Sequence, residues 1–328
     1  MSKITINDIA EIAGVAKSTV SRYLNGGNVS EKTKEKLKKV IEENNYQPNA
    51  FAQSLKAKST RFVGVIAPCL DSVVTSRTLM AIDEGLRAEE YNSLILNTSL
   101  NKELEIEKLE NLIRLKVDGI ILVATEITKQ HKDIIKKLNV PILIVGQQCE
   151  SAKCIVNDDY NAGYKIGEYV TLNNHKKILY VGVDERDMAV GVQRKKGVFD
   201  KLKEYSDIEI REATTEFTAD SAEKISFDVL KEYDPTVVVC ATDKIALGVC
   251  RAIVKLGKRI KDDISVTGFG GYGMLNIGGM ELTTIKFNND ETGKISADTI
   301  IKMIKKEPVP VSQIIGFKFL EGNSVKKI

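Results

Sequence analysis

Lys17, Ser18 and Arg22 fall inside the stretch KSTVSRYL, where the apolar Val20 and Leu24 recur four residues apart. If the stretch is helical, Val20 and Leu24 turn inward and the three polar side chains share the outer face. Arg offers paired donors that match a guanine edge, and hydroxyl groups suit phosphate oxygens. The chemistry these residues can do is recognition of duplex DNA.

Residue types for bond-making chemistry are sparse. The two histidines, His131 and His175, stand in polar stretches that predict solvent-exposed positions on a surface helix or loop. No HExxH, Gly-x-Ser-x-Gly or Cys-x-x-Cys pattern occurs. Asp158 and Asp159 could pass for an acid and a base, but they open a helix, where carboxylates favour the dipole. The run Gly268-Phe269-Gly270-Gly271-Tyr272-Gly273 fits G-x-G-x-x-G after a strand. A dinucleotide site, however, opens the first strand-turn-helix unit and carries an acid about 20 residues further on. Neither condition holds, so the sequence predicts no enzyme, no cofactor and no metal site.

Three short helices would position Lys17, Ser18 and Arg22. Thr5 predicts an N-cap with Asp8 closing the pair, and Ile6, Ile9, Ala10 and Ala13 follow at helical spacing. Gly14 ends that helix, a second runs from about Lys17 to Leu24, and Asn25-Gly26-Gly27 breaks it. Ser30 caps a third, with Leu37, Val40, Ile41 and Asn44 as its buried stripe. A tight Gly14-Val15-Ala16 turn between the first two makes a helix-turn-helix, which lays its second helix in the major groove.

Charge and composition agree with that reading. Residues 1–60 carry nine lysines and one arginine against six acids; with a chain total of +3, the remaining residues hold about one net negative charge. The surplus suits a phosphate footprint, although Lys32, Lys34, Lys36, Lys38 and Lys39 would equally suit a solvated helix face. At 328 residues, 43% hydrophobic and 28% charged, the chain suits two or three packed units. Apolar runs such as Gly119 to Ala124 are strand-length, far below the roughly 20 residues of a membrane span. Five scattered cysteines and a polar N-terminus predict a reducing, cytoplasmic setting.

The run TINDIAEIAGVAKSTVSRYLNGGNVSEKTKEKLKKVIEENNYQPNAFAQSLKAKST resembles the headpiece and hinge of the LacI family of repressors almost position by position. The resemblance implies base contacts by Lys17, Ser18 and Arg22. It gives Thr19, Ser21 and Asn25 phosphate or turn-supporting roles, and Thr5 joins the DNA-binding set. Ala16 stands where the family usually has Ser, a missing cap worth about 1 kcal/mol. Residues 47–60 match the family hinge, with Asn49 as N-cap and small Ala50, Ala52 and Ala57 where two hinge helices would lie side by side. Leu55 matches the leucine that wedges into the minor groove and kinks the duplex. Paired hinge helices imply a homodimer on pseudo-palindromic double-stranded operator DNA.

From Arg61 the pattern changes to alternating strands and helices. RFVGVIA, NSLILN, DGIILVA and PILIVG form one series of strands, and KKILYVGV, PTVVVCA, DISVTGF and LTTIKF a second. Two such series predict two parallel-sheet subdomains with a cleft between them. The expected fold is an all-α helix-turn-helix headpiece (1–46) with a hinge helix (47–60). An α/β core (61–328) follows, similar to the periplasmic binding proteins, with two doubly wound subdomains. Their expected bounds are 61–160 plus 290–310, and 161–289 plus 311–328.

Ligands bind beyond the carboxyl ends of such strands. The family positions there correspond to Asp71 and Ser72 after the first strand, Gln147 after the fourth, Arg194 in GVQRKKG, and Thr242 and Asp243 after VVVCA. Phe269 and Tyr272 supply apolar faces for a sugar ring. Asp243 suits a ligand contact or the N-cap of the helix IALGVCRAIVKL. Gly270 and Gly271 replace two aspartates of the family's GFDD segment. LDS, VGV, CATDxxALG and LTT resemble the sucrose- and trehalose-type repressors, but the arginines that bind phosphate in the trehalose branch appear as Cys69 and Gln147. The resemblance thus implies a repressor of a carbohydrate operon, released by a small sugar, either a sucrose-like disaccharide or a sugar phosphate. A regulator of the same fold controlled by a phosphoprotein is the alternative.

Overall fold

Thr5 opens the first helix, α1 (Ile6–Ile12), through a reciprocal pair: its hydroxyl accepts from the Asp8 amide at 3.4 Å, and the Asp8 carboxylate accepts from the Thr5 amide at 2.7 Å. The exchange satisfies amides that a helix start leaves bare. Gly14, at φ +57°, reverses the chain in the left-handed region that only glycine adopts freely. Helices α2 (Lys17–Leu24) and α3 (Glu31–Glu43) follow, the latter capped by the Ser30 hydroxyl. Ile9, Ala13, Val20, Leu37 and Val40 make their common core.

The structure, a computed structural model, describes residues 4–24, 26–46, 59–271, 273 and 279–328. Asn25, Asn49, Leu55 and Tyr272 lie outside the described residues. The chain divides into two units, residues 1–61 and 62–328.

The second unit holds two lobes, each built on a six-stranded sheet among the described residues. In the first lobe β1 (Phe62–Ala67), β2 (Asn92–Asn97), β3 (Gly119–Val123), β4 (Ile142–Val145) and β5 (Lys153–Asn157) are joined by α4 (Val73–Ala88), α5 (Lys102–Leu115) and α6 (Lys129–Ile135). In the second, α7 (Asp159–Leu172), β6 (Lys177–Gly182), a π-helix (Met188–Arg194) and α8 (Lys195–Leu202) lead to β7 (Glu209–Thr214) and α9 (Ala219–Glu232). The strands β8 (Val237–Cys240), β9 (Ser265–Phe269) and β10 (Thr283–Phe287) and the helix α10 (Asp243–Lys255) complete that series. Central strands such as FVGVIA are buried on both faces, as parallel strands flanked by helices must be.

The chain then returns to the first lobe. Helix α11 (Asn289–Ile304) packs on α4, where a Cβ at Gly293 would stand 2.5 Å from the Thr78 carbonyl, so only glycine permits the approach. Strand β11 (Ser312–Ile315) pairs parallel with β5 in the first sheet, and β12 (Phe317–Leu320) pairs antiparallel with β10 in the second. This corrects the expected bounds: 311–328 does not belong wholly to the second lobe, because β11 completes the first sheet's edge. The lobes are therefore connected by three crossings, at Asp158, Asn288 and Gly316.

Candidate functional site

In the first unit, α2 buries Val20 and leaves Lys17, Ser18 and Arg22 exposed, while Thr19 and Ser21 are half-buried. Gly27 allows the chain to double back beneath the helix end. Its amide donates to the Arg22 carbonyl at 2.8 Å, and a Cβ there would sit 2.6 Å from Arg22 Cγ. The Arg22 stem is thus held while its guanidinium faces solvent. The Thr5 hydroxyl is occupied by its cap. All five lysines of α3 are exposed, two of them 3.8 Å from glutamates on the same helix. The arrangement presents a rigid basic surface able to dock along phosphates and read a base edge.

In the second unit, the expected ligand residues separate into two kinds. Ser72 and Thr242 have their hydroxyls taken by helix starts, accepting from the Thr75 and Ile245 amides. Thr242, not Asp243, is therefore the cap of α10. Asp243 follows it and is buried: Oδ1 accepts from the Thr284 hydroxyl and Oδ2 from the Gly271 amide, both at 2.6 Å. A Cβ at Gly268 or Gly270 would meet that carboxylate at 2.4 or 2.8 Å, and one at Gly271, φ +72°, would meet Lys286. The glycines that stand where the family has aspartates are the seat of Asp243.

Arg194 is buried at the end of the π-helix. It donates through Nε and Nη2 to Asp159 and through Nη1 to the Ala241 carbonyl, with Phe269 and Phe287 within 5 Å of its Cζ. Asp158 caps α7 by accepting from the Asn161 amide, whereas Asp159 serves the arginine. The two acids are thus a cap and an ion-pair partner.

Among the described residues, two side-chain hydrogen bonds span the lobes. Lys244 donates to Asp71 at 3.2 Å, which lowers the Asp71 pKa, and Gln147 donates to Asp187 at 3.5 Å. Asp187 also caps the π-helix, accepting from the Ala189 and Val190 amides. Burial raises its pKa against those hydrogen bonds and against Arg194. Beside this bridge lies a cavity of about 300 Å³, walled by Gly146 to Gln148, the Val156 to Tyr160 crossing, the π-helix and Ile314.

Both histidines correct the expectation of exposure. His131 is closed to solvent because Nε2 bonds Glu105 at 2.8 Å and Nδ1 bonds the Thr128 hydroxyl that caps α6. His175 packs against Thr236, and burial lowers its pKa to about 4. Neither borders the cavity. The sequence reading missed Asp187, Asn157, Gln148 and Gln193. Asp187 had a signal, an acid immediately before an apolar run, which marks a helix cap.

Residues 60–322 match the model for periplasmic binding proteins and the sugar-binding domain of the LacI family, and residues 5–49 match that for bacterial regulatory proteins of the lacI family. The chain belongs to the LacI family. Among LacI-family relatives it is 41% identical to a sucrose operon repressor of Staphylococcus xylosus, over 94% of this chain and 97% of that one. It is 29% identical to catabolite control protein A of Priestia megaterium, over 94% and 95% of the respective chains. The fold superposes with TM-score 0.89 and 25% identity on the lac repressor dimer bound to operator and an anti-inducer, covering 99% of this LacI-family chain and all of that one.

Proposed function

We propose that the protein is a cytoplasmic transcriptional repressor of a carbohydrate operon, bound as a homodimer to pseudo-palindromic operator DNA and released by a small sugar. The observation that carries it is the exposed Lys17, Ser18 and Arg22 face of α2, in a chain 41% identical to a sucrose operon repressor. Arg22 reads a base edge and the hydroxyls and lysines hold the backbone. Gln147 lines the cavity beside the bridge between the lobes, and the family correspondence adds Asp71, Arg194, Phe269 and Tyr272 to the residues assigned to the sugar. Ligand closing the lobes shifts the population of dimers away from the DNA-competent form. Such coupling is typically about 1–3 kcal/mol and reciprocal, so operator weakens sugar binding by the same factor.

Binding of an operator fragment at fixed salt, with and without a panel of free sugars, tests this reading. The expected result is release of DNA by one sugar, together with a higher melting temperature. A sugar that tightens operator binding would reverse the sign of control. Operator binding untouched by any sugar would favour phosphoprotein control.

A further inference from the structure

The cavity between the lobes carries information about the class of its ligand. Among the described residues its lining holds Asp158, Asp159 and four carboxamides, and no lysine or arginine. Phosphate sites depend on cations or clusters of amide donors; with Asp159 already paired to Arg194, a phosphate here would meet the unpaired charge of Asp158 and no free cation among the lining residues. Carboxamides, which both donate and accept, suit hydroxyl groups. Met188, Val156 and Ile314 add apolar surface for the C–H face of a ring.

Asn157, in the lining, and Asp187, which bonds the lining residue Gln147, each hold an unfilled acceptor. Asn157 Oδ1 is buried without a hydrogen-bond partner, a condition that folded proteins rarely leave uncompensated. Asp187 takes all three of its hydrogen bonds on Oδ1, leaving Oδ2 without one among the described residues. The π-helix contributes directly. Met188 and Ala189 from its first turn and Gln193 from near its end all border the cavity.

We infer that the cavity takes an uncharged saccharide and discriminates against phosphorylated sugars, with Asn157 accepting from its hydroxyls and Gln148 and Gln193 donating to it. The inference rests on the sugar-controlled reading above and adds to it the ligand class and the residues that select it. Asn157 is a specificity residue whose carboxamide is held ready at the crossing between lobes.

Titration calorimetry on the full chain, with sucrose, trehalose and maltose and the 6-phosphate of each, separates the outcomes. The wild-type protein should bind one free disaccharide at least tenfold more tightly than its phosphate. Asn157→Leu removes an orphaned acceptor at nearly constant shape, so the ligand-free melting temperature should hold or rise while affinity for that disaccharide falls at least tenfold. Gln193→Met, on an exposed side chain, should weaken binding severalfold and serves if Asn157→Leu fails to fold. A phosphorylated sugar bound as tightly as its parent overturns the ligand class. Both variants binding within twofold of wild type overturns the residue assignment. Both results leave sugar control itself intact, provided a sugar still releases operator DNA. If no sugar binds and none affects operator retention, the sugar-controlled reading fails and this inference with it.

Discussion

Asp159 Oδ1 accepts from both Nε and Nη2 of Arg194, at 3.0 and 2.5 Å, joining the first turn of α7 to the last residue of the π-helix 35 positions later. Both side chains are almost closed to water, so the attraction must offset two desolvation penalties. Removing one partner strands the other. Asp159→Asn or Arg194→Met should each lower unfolding free energy by about 3–5 kcal/mol, read by urea denaturation. The Asp159→Asn, Arg194→Met double variant should cost less than the sum of the two singles. Additive losses would show that the two residues act independently.

His175 sets a pH dependence. The Thr236 hydroxyl donates to the Lys177 carbonyl, so His175 Nδ1 is the donor in its 2.9 Å bond to Thr236, a role the neutral ring fills. Its folded pKa, about 4, lies below the ordinary 6.5. As pH falls through 6.5 the unfolded chain takes up a proton that the folded chain refuses, and stability drops until about pH 4, then levels. The loss is up to about 3 kcal/mol. Urea midpoints between pH 7 and 4.5 should fall less steeply for His175→Gln than for wild type; equal slopes would place the titration elsewhere.

Gly270 faces the Asp243 carboxylate, with its missing Cβ 2.8 Å from Oδ2. Restoring the family's acid by Gly270→Asp should therefore destabilise the core by about 2 kcal/mol or more, through crowding and like charge. Coupling it with Asp243→Ser should recover part of the loss. A thermal scan in which Gly270→Asp melts like wild type would show that the loop has room the distances deny.

Leu55, matched to the family's hinge wedge, gives a test on DNA. Leu55→Ala should weaken operator binding far more than binding to random duplex, because only the operator complex gains from opening a base step. Equal losses on both, in parallel gel-shift titrations, would remove the wedge.

Legibility followed locality. Thr5 with Asp8, Ser30 and Gly14 announce the headpiece because caps and left-handed turns are decided within four residues. Central strands such as VVVC announce themselves because burial on both faces leaves an unbroken apolar run. Strand β7, EIREAT, did not, since an edge strand keeps charges exposed. The lobe to which β11 belongs is a matter of pairing with β5, which nothing inside SQII encodes. At the site, sequence resemblance named Arg194 and Asp243 as ligand residues. Their intrachain partners Asp159, Thr284 and Gly271 lie 28 or more positions away and became visible only in the fold. The π-helix also depends on such contact: Gly191 sits where a Cβ would be 2.2 Å from the Asp184 carbonyl.

The threading of β11 and α11 back into the first lobe has a consequence for synthesis. The headpiece core closes with residues before 47, so this unit can fold while translation continues. The first lobe is completed only later, because β5 ends at Asn157 and its neighbour, the edge strand β11, arrives at Ser312–Ile315. At roughly 5–20 residues per second, that is a wait of about 8–30 s with the α11-facing surface of α4 uncovered. A nascent chain therefore spends that interval with a DNA-reading unit able to form and a sensing unit still incomplete, and interrupted translation would release the first without the second.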